Sequence, residues 1–161
     1  MRIMQNFSLL LLGLLFLAVS AYSEQWANDQ GSAYTKGEKD ISVGLALWQF
    51  GLGGAFDYGF HEAISAGYLV GIMIFPDAYV PMIVRAAFHP FNLTALKDKI
   101  SVRDKLDVYA GLSSGFKIGY DPLFTFGEYI GVKYLFTPKF GVFAEDCAGV
   151  GYINFGLSFK L

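Results

Sequence analysis

The sequence predicts an all-β fold, an eight-stranded antiparallel up-and-down transmembrane β-barrel, and three observations lead to it. Apolar residues alternate with small or polar residues in eight runs, which is the period of a strand with two different faces. The chain is 54% hydrophobic and only 16% charged, whereas soluble domains carry roughly a quarter charged residues. Its 19 glycines and 16 phenylalanines suit tightly curved sheet better than a helical bundle.

The amino terminus has the parts of a secretory signal peptide. Arg2 precedes an apolar run at residues 7–19, and small residues follow, with Ser23 or Ser20 as the last residue before cleavage. The run is too short to span a bilayer of about 30 Å as a helix, which argues against an uncleaved membrane anchor. We therefore predict a cleaved signal peptide over residues 1–23, a flexible polar leader over 24–39 and a barrel domain over 40–161.

The first half of the barrel domain contains four alternating runs. The first has apolar residues at positions 41, 43, 45 and 47, and the next three cover residues 55–60, 64–74 and 82–89. The glycine-rich stretch at 51–54 (GLGG) lacks the Lys-Ser/Thr ending of a phosphate-binding loop. It predicts the first hairpin turn instead, and residues 60–62 and 76–77 predict the next two turns.

The second half alternates more regularly. Its four runs cover residues 106–119, 129–136, 140–145 and 153–161, with turn signals at 121–122 and 137–139. Residues 92–104 form a longer polar connection with room for a short helical turn. Eight strands with antiparallel connections can close into a barrel, and closure satisfies every backbone group in lipid.

The two faces of these strands differ in a way that favours a membrane. One face is aliphatic and aromatic, and Val108, Val132 and Leu157 on it are expected to contact lipid. The other face is rich in glycine and serine rather than in the lysine and glutamate of a water-exposed surface. A soluble lipocalin-like lipid carrier, with the apolar face inward, is the alternative arrangement.

Nearly every charge within a strand lies on the small-residue face, which is the predicted barrel interior. Acids and bases nearly balance there, and buried charges persist only when they are paired. We predict a structural salt-bridge network that plugs the narrow lumen, with a narrow transport barrel as the alternative. The predicted interior charges are Asp57, Arg85, Asp107, Lys117, Lys133, Glu145 and Lys160.

No motif for chemistry stands out from this pattern. The net charge of −2 gives no electrostatic basis for binding nucleic acid. Cys147 is the sole cysteine, so the chain has no intrachain disulfide and no Cys/His cluster for zinc. His61, in a predicted turn, and His89, at a predicted strand end, are expected to be a capped turn and an interfacial polar residue. We predict no catalytic residue, no metal and no cofactor, and keep a lipid-active barrel as an alternative.

The stretch at 132–145 (VKYLFTPKFGVFAE) resembles a recurrent hairpin of small bacterial outer-membrane β-barrel proteins, eight-stranded like OmpX and the OmpA barrel and mostly uncharacterised. Residues 107–112 (DVYAGL) and 156–161 (GLSFKL) are similar to their fifth and closing strands. Those proteins usually end in Phe or Tyr, whereas this chain ends in Leu161. The resemblance implies a monomer in outer-membrane lipid, recognised through its C-terminal strand by the outer-membrane assembly machinery.

Overall fold

The computed structural model describes residues 32–47, 49–93, 96, 99–147 and 151–161. The predicted signal peptide and the first part of the predicted leader lie outside the described residues. Eight antiparallel strands form a closed barrel in chain order, which confirms the predicted fold. The strands are β1 (Lys39–Leu47), β2 (Phe50–His61), β3 (Ile64–Phe75), β4 (Val80–Phe88), β5 (Leu106–Ile118), β6 (Phe124–Thr137), β7 (Phe140–Cys147) and β8 (Gly151–Lys160).

The barrel closes where the first strand pairs with the last. Asp40 of β1 lies opposite Lys160 of β8, and the pairing continues along both strands to Leu47 and Ile153. Closure leaves neither β1 nor β8 with a free edge, as a strand in hydrocarbon requires. No helix among the described residues is both long and apolar enough to cross a membrane.

The end of the barrel where β1 begins and β8 ends, here called the terminal end, carries the longest connection between described strands. This connection joins β4 to β5 and contains a 3-10 turn at Pro90–Asn92, within the stretch predicted to be long and polar. The β2–β3 and β6–β7 turns lie at the same end. The other four connections lie at the opposite end.

The predicted position of the first turn is wrong. Residues 51–54 lie within β2, where Gly51 pairs with Ala46 of β1. A Cβ on Gly51 would lie 2.3 Å from the Met73 sulfur, so this glycine makes room for side-chain packing rather than for a change of chain direction. The remaining turn signals fall at or beside the observed connections.

The apolar side chains point outward along each strand, as predicted. Val84 and Leu112 are more than half exposed, whereas the residues beside them in sequence, Arg85 and Ser113, are buried. Leu157 is also outward and 43% exposed, but the outward Val132 is only 9% exposed. This polarity is the reverse of that in a soluble carrier, whose apolar side chains line the interior.

The lumen is divided along its axis into an apolar half and a polar half. Leu69, Met73, Tyr79 and Ile83 pack together towards the opposite end. Inward positions nearer the terminal end carry charged, serine and histidine side chains instead, and Arg85 stands between the two halves. The polar half therefore contains the groups that could perform chemistry.

Candidate functional site in the barrel lumen

Three predicted interior charges form one network at the middle of the lumen. The guanidinium of Arg85, on β4, donates to Asp57 of β2 through Nε, 2.9 Å from Oδ1, and also through Nη2. Its Nη1 lies 3.0 Å from both carboxylate oxygens of Glu145, on β7. The Tyr109 hydroxyl donates to Glu145 at 3.1 Å. The network ties four strands together and compensates the burial of Arg85, which is 8% exposed.

A second ion pair joins the first strand to the sixth. The Lys133 ammonium lies 2.7 Å from Oδ2 of Asp40. The hydroxyls of Ser42 and Ser158 donate to the same carboxylate at 3.0 and 2.8 Å. Asp40 is therefore the partner of Lys133, although only Lys133 was among the predicted interior charges.

A third pair holds the residues before β1. Lys160 of β8 binds Glu38, with 2.8 Å between Nζ and Oε2, and donates to the carbonyl of Ala33. Burial raises the pKa of Glu38 above that of an exposed glutamate, although the neighbouring Lys160 opposes this shift. Part of the predicted leader is thus bound to the terminal end of the barrel.

These bound residues, 32–38, are here called the N-terminal segment, and Tyr34 is the part that enters the lumen. Its hydroxyl donates to the carbonyls of Ile64 and His61 at 2.6 and 3.0 Å. Burial chiefly raises the pKa of Tyr34, and nearby carboxylates raise it further. Gly59 leaves space for the segment, because a Cβ there would lie 2.5 Å from the carbonyl oxygen of Thr35.

Asp107, another predicted interior charge, binds a histidine rather than a lysine or arginine. Its two carboxylate oxygens each lie 2.9 Å from Nδ1 of His89. The other ring nitrogen of His89 lies 2.9 Å from the hydroxyl of Ser65, and the Tyr34 ring stacks on the imidazole with centroids 3.6 Å apart. His89 is therefore a buried lumen residue and not the interfacial residue expected from the sequence. His61, by contrast, is exposed in its turn and accepts a bond from the amide of Ala63.

Lys117 is the predicted interior charge that lies apart from the others. It belongs to the opposite end of the barrel, where its ammonium lies 5.4 Å from the ring centroid of Tyr120 and 5.8 Å from that of Tyr79. Such contacts with aromatic faces are attractive for a cation.

The predicted interior charges omit Asp40 and Glu38. Alternation places Ser65 and His89 on the inward face but does not indicate that they meet. Strand parity held the signal for Asp40, because it continues the inward series of Ser42. Glu38 lies outside any alternating run, so no pattern identified it.

Little open space remains among these side chains. One cavity of about 20 Å³ is lined by Tyr34, Ser65, His89, Arg85 and Lys133, among others. A second of about 20 Å³ lies on the other side of Arg85, beside Asn154. Each is large enough for about one water molecule. The described residues contain no group of three or more His, Cys, Asp or Glu side chains arranged to hold a metal ion.

The comparisons with known proteins place the fold among membrane barrels. A de novo designed transmembrane β-barrel aligns with 80% of this chain and 98% of its own length, with a TM-score of 0.57 and 12% identity. The N-terminal β-barrel domain of Pseudomonas aeruginosa OprF aligns with 80% of this chain and its own entire length, with a TM-score of 0.53 and 18% identity. No protein-family model and no curated protein sequence matches the chain. The chain thus has the fold of a small eight-stranded transmembrane barrel, consistent with the resemblance seen in its sequence.

Proposed function

We propose that the chain is an exported, integral outer-membrane barrel with a structural or surface-interaction role and a lumen plugged by its own side chains. The observation that carries this proposal is the Arg85 network, which spans the lumen between two cavities of about 20 Å³ each. A hydrated ion needs a continuous open path, whereas the described cavities on the two sides of Arg85 each hold about one water molecule.

The outward apolar face supports a membrane location, and the signal-peptide pattern at residues 1–23 supports export. Fractionation of expressing bacterial cells tests both. We expect the mature protein in the outer-membrane fraction, shortened by the signal peptide. Recovery from the soluble periplasm would contradict the proposal and favour a soluble carrier.

Planar-bilayer recordings test the plugged lumen. We expect no steady single-channel conductance from the folded protein, while a porin reconstituted in the same way conducts. A Tyr34→Ala variant is the matched control, because it removes one ring from the terminal end and leaves the Arg85 network in place. It should also remain closed. Large, steady, protein-dependent conductance from the wild-type chain would favour transport instead.

A further inference from the structure

We propose that Ser65 is a shielded serine nucleophile, with His89 as its general base and Asp107 as the positioning residue, and that it takes a small carboxylic ester when the N-terminal segment leaves the terminal end. This activity goes beyond the proposed structural role. The observation behind it is a continuous chain of hydrogen bonds from a hydroxyl to an imidazole to a carboxylate.

The three groups have the mutual geometry that nucleophilic catalysis requires. Ser65 Oγ lies 2.9 Å from His89 Nε2, and His89 Nδ1 lies 2.9 Å from Asp107. An ionised Asp107 holds the proton on Nδ1, which leaves Nε2 free to accept the proton of Ser65. Separate elements supply the groups: Ser65 lies near the start of β3, His89 follows β4 and Asp107 lies near the start of β5.

A second cluster of serine and carboxylate groups in the same lumen differs from the Ser65 cluster in lacking a histidine. Ser42 and Ser158 both donate directly to Asp40. That arrangement satisfies buried polar groups but includes no imidazole to act as the general base. Only at Ser65, among the lumen serines with a described side-chain partner, does an imidazole lie between the hydroxyl and the carboxylate.

The N-terminal segment closes this site. The Tyr34 ring lies parallel to the His89 ring, with an interplanar angle of 3°, and the adjoining cavity of about 20 Å³ is too small for an acyl group. The segment precedes β1 and is not part of a strand. It can therefore leave the lumen without breaking the barrel, and Tyr34 leaves behind the space that a substrate needs.

The reaction balances with the groups present, the ester and water. Ser65 Oγ transfers its proton to His89 Nε2 and bonds to the carbonyl carbon, and the bond from that carbon to the ester oxygen then breaks. His89 returns the proton to the departing alkoxide, which leaves as the alcohol. Water repeats the sequence on the acyl-Ser65 and releases the acid. Lys133 and Arg85, each already paired with carboxylates, line the same cavity and are cationic N–H donors available to the developing oxyanion.

Labelling with an alkyl fluorophosphonate tests the nucleophile. The probe's phosphorus–fluorine bond breaks as an Oγ–phosphorus bond forms, so the adduct is stable and can be mapped by mass spectrometry. Full-length folded protein in detergent is used, with folding checked by heat-modifiable migration on a gel. We expect slow labelling of Ser65 in the wild type and a rate about tenfold higher or more in Tyr34→Ala, because local opening no longer requires loss of the ring stack.

Further variants separate a nucleophile from a merely buried serine. Ser65→Ala should abolish the adduct, whereas Ser158→Ala should retain it. In the Tyr34→Ala background, Asp107→Asn should lower the rate by about 100-fold or more, because the amide favours the wrong tautomer. Asp107→Glu, which retains a carboxylate, should lose less of the rate than Asp107→Asn, as expected of a positioning residue.

A second variant opens the site by another change, so that the proposal can still be tested if Tyr34→Ala does not fold. Gly59→Ala displaces the N-terminal segment without altering it, whereas Gly53→Ala is the matched control, since its Cβ would meet nothing nearer than 3.7 Å. Of these two glycine variants, only Gly59→Ala should give faster labelling and turnover of p-nitrophenyl acetate. If folded variants with the segment displaced give no Ser65 adduct above the Ser65→Ala background, the proposal is wrong.

Discussion

At the scale of single residues, the lumen depends on Arg85. Its planar guanidinium has donors on two sides, and each side meets a carboxylate from a different strand. A lysine offers one ammonium in place of this fork, so it cannot hold both carboxylates in the same geometry. Because these charged groups are removed from water, a carboxylate or guanidinium left without its partner destabilises the folded protein.

We predict that Arg85→Ala destabilises the barrel by about 3–5 kcal/mol, because Asp57 and Glu145 are left as unpaired buried carboxylates. Arg85→Lys should have a smaller effect, since one positive charge remains. The measurement is the denaturant concentration at which half of the protein in lipid vesicles is unfolded. The folded fraction is read from the intensity of the folded band on a gel. Equal midpoints for Arg85→Ala and the wild type would contradict the network's role.

At the scale of elements, the N-terminal segment and the strands are held in place by different interactions. The strands are fixed by pairing on both sides, whereas the segment is held by the side chains of Tyr34 and Glu38 and by hydrogen bonds of its own backbone to β2, β8 and the β4–β5 connection. Ionisation of Glu38 therefore affects the binding of the segment directly. The charged groups near Glu38 are Lys160, Lys133 and Asp40.

We predict that binding of the segment weakens as the pH rises. The raised pKa of Glu38 means that the bound segment holds a proton more tightly than the free segment does. This contribution is complete below the ordinary glutamate pKa and is lost as the pH rises through the raised value. The binding of the segment is measured by hydrogen exchange of the Ala33 and Gly37 amides, which donate to the carbonyls of Arg103 and Gly59. The exchange rates are corrected for the intrinsic pH dependence of amide exchange.

Glu38→Gln should remove most of this pH dependence. Glu62→Gln, an exposed carboxyl near the same segment, is the matched control and should retain it. Identical pH profiles for the wild type and Glu38→Gln would show that another group controls the segment.

We predict that Val84→Lys, at the middle of β4, costs about 2–4 kcal/mol, because the outward side chain must sit near the bilayer midplane. Val84 is 64% exposed on the barrel surface. Ile74→Lys is the control, since Ile74 is 61% exposed but lies near the end of β3. Its cost should be about 0–1 kcal/mol at the interface. Folding free energies in vesicles provide the comparison, and equal costs would argue against a lipid-facing surface.

At the scale of the whole molecule, closure joins residues far apart in sequence. Strand β1 pairs with β8 over eight residue pairs, from Asp40 with Lys160 to Leu47 with Ile153. This pairing couples the stability of the first strand to that of the last.

We predict that a Val43→Cys, Leu157→Cys pair forms a disulfide on oxidation of the folded protein in a Cys147→Ser background. These residues are direct cross-strand partners, whose Cα atoms are about 4.5–5.5 Å apart, within the range of about 4.4–6.8 Å found in disulfides. The matched control, Val43→Cys with Val84→Cys, joins strands that are not neighbours. Disulfide formation is detected as a change in gel mobility between samples with and without reductant. A bond in the control, or none in the test pair, would contradict closure between β1 and β8.

The sequence by itself determined the number of strands, their order and which face of each is apolar. These features follow from local alternation, because a strand turns successive side chains to opposite sides. It also identified Asp57, Arg85 and Glu145 as interior charges. A glycine-rich stretch misled the prediction of the first turn, since glycine serves close packing as well as chain reversal.

Only the tertiary structure decided which interior groups meet. Closure brings β2, β4 and β7 around Arg85, and it brings Ser65, His89 and Asp107 into contact from separate parts of the chain. It also gave the N-terminal segment its place, with Tyr34 in the lumen. Alternation assigns a side chain to the interior, but the stagger and curvature of the closed sheet determine its neighbours there.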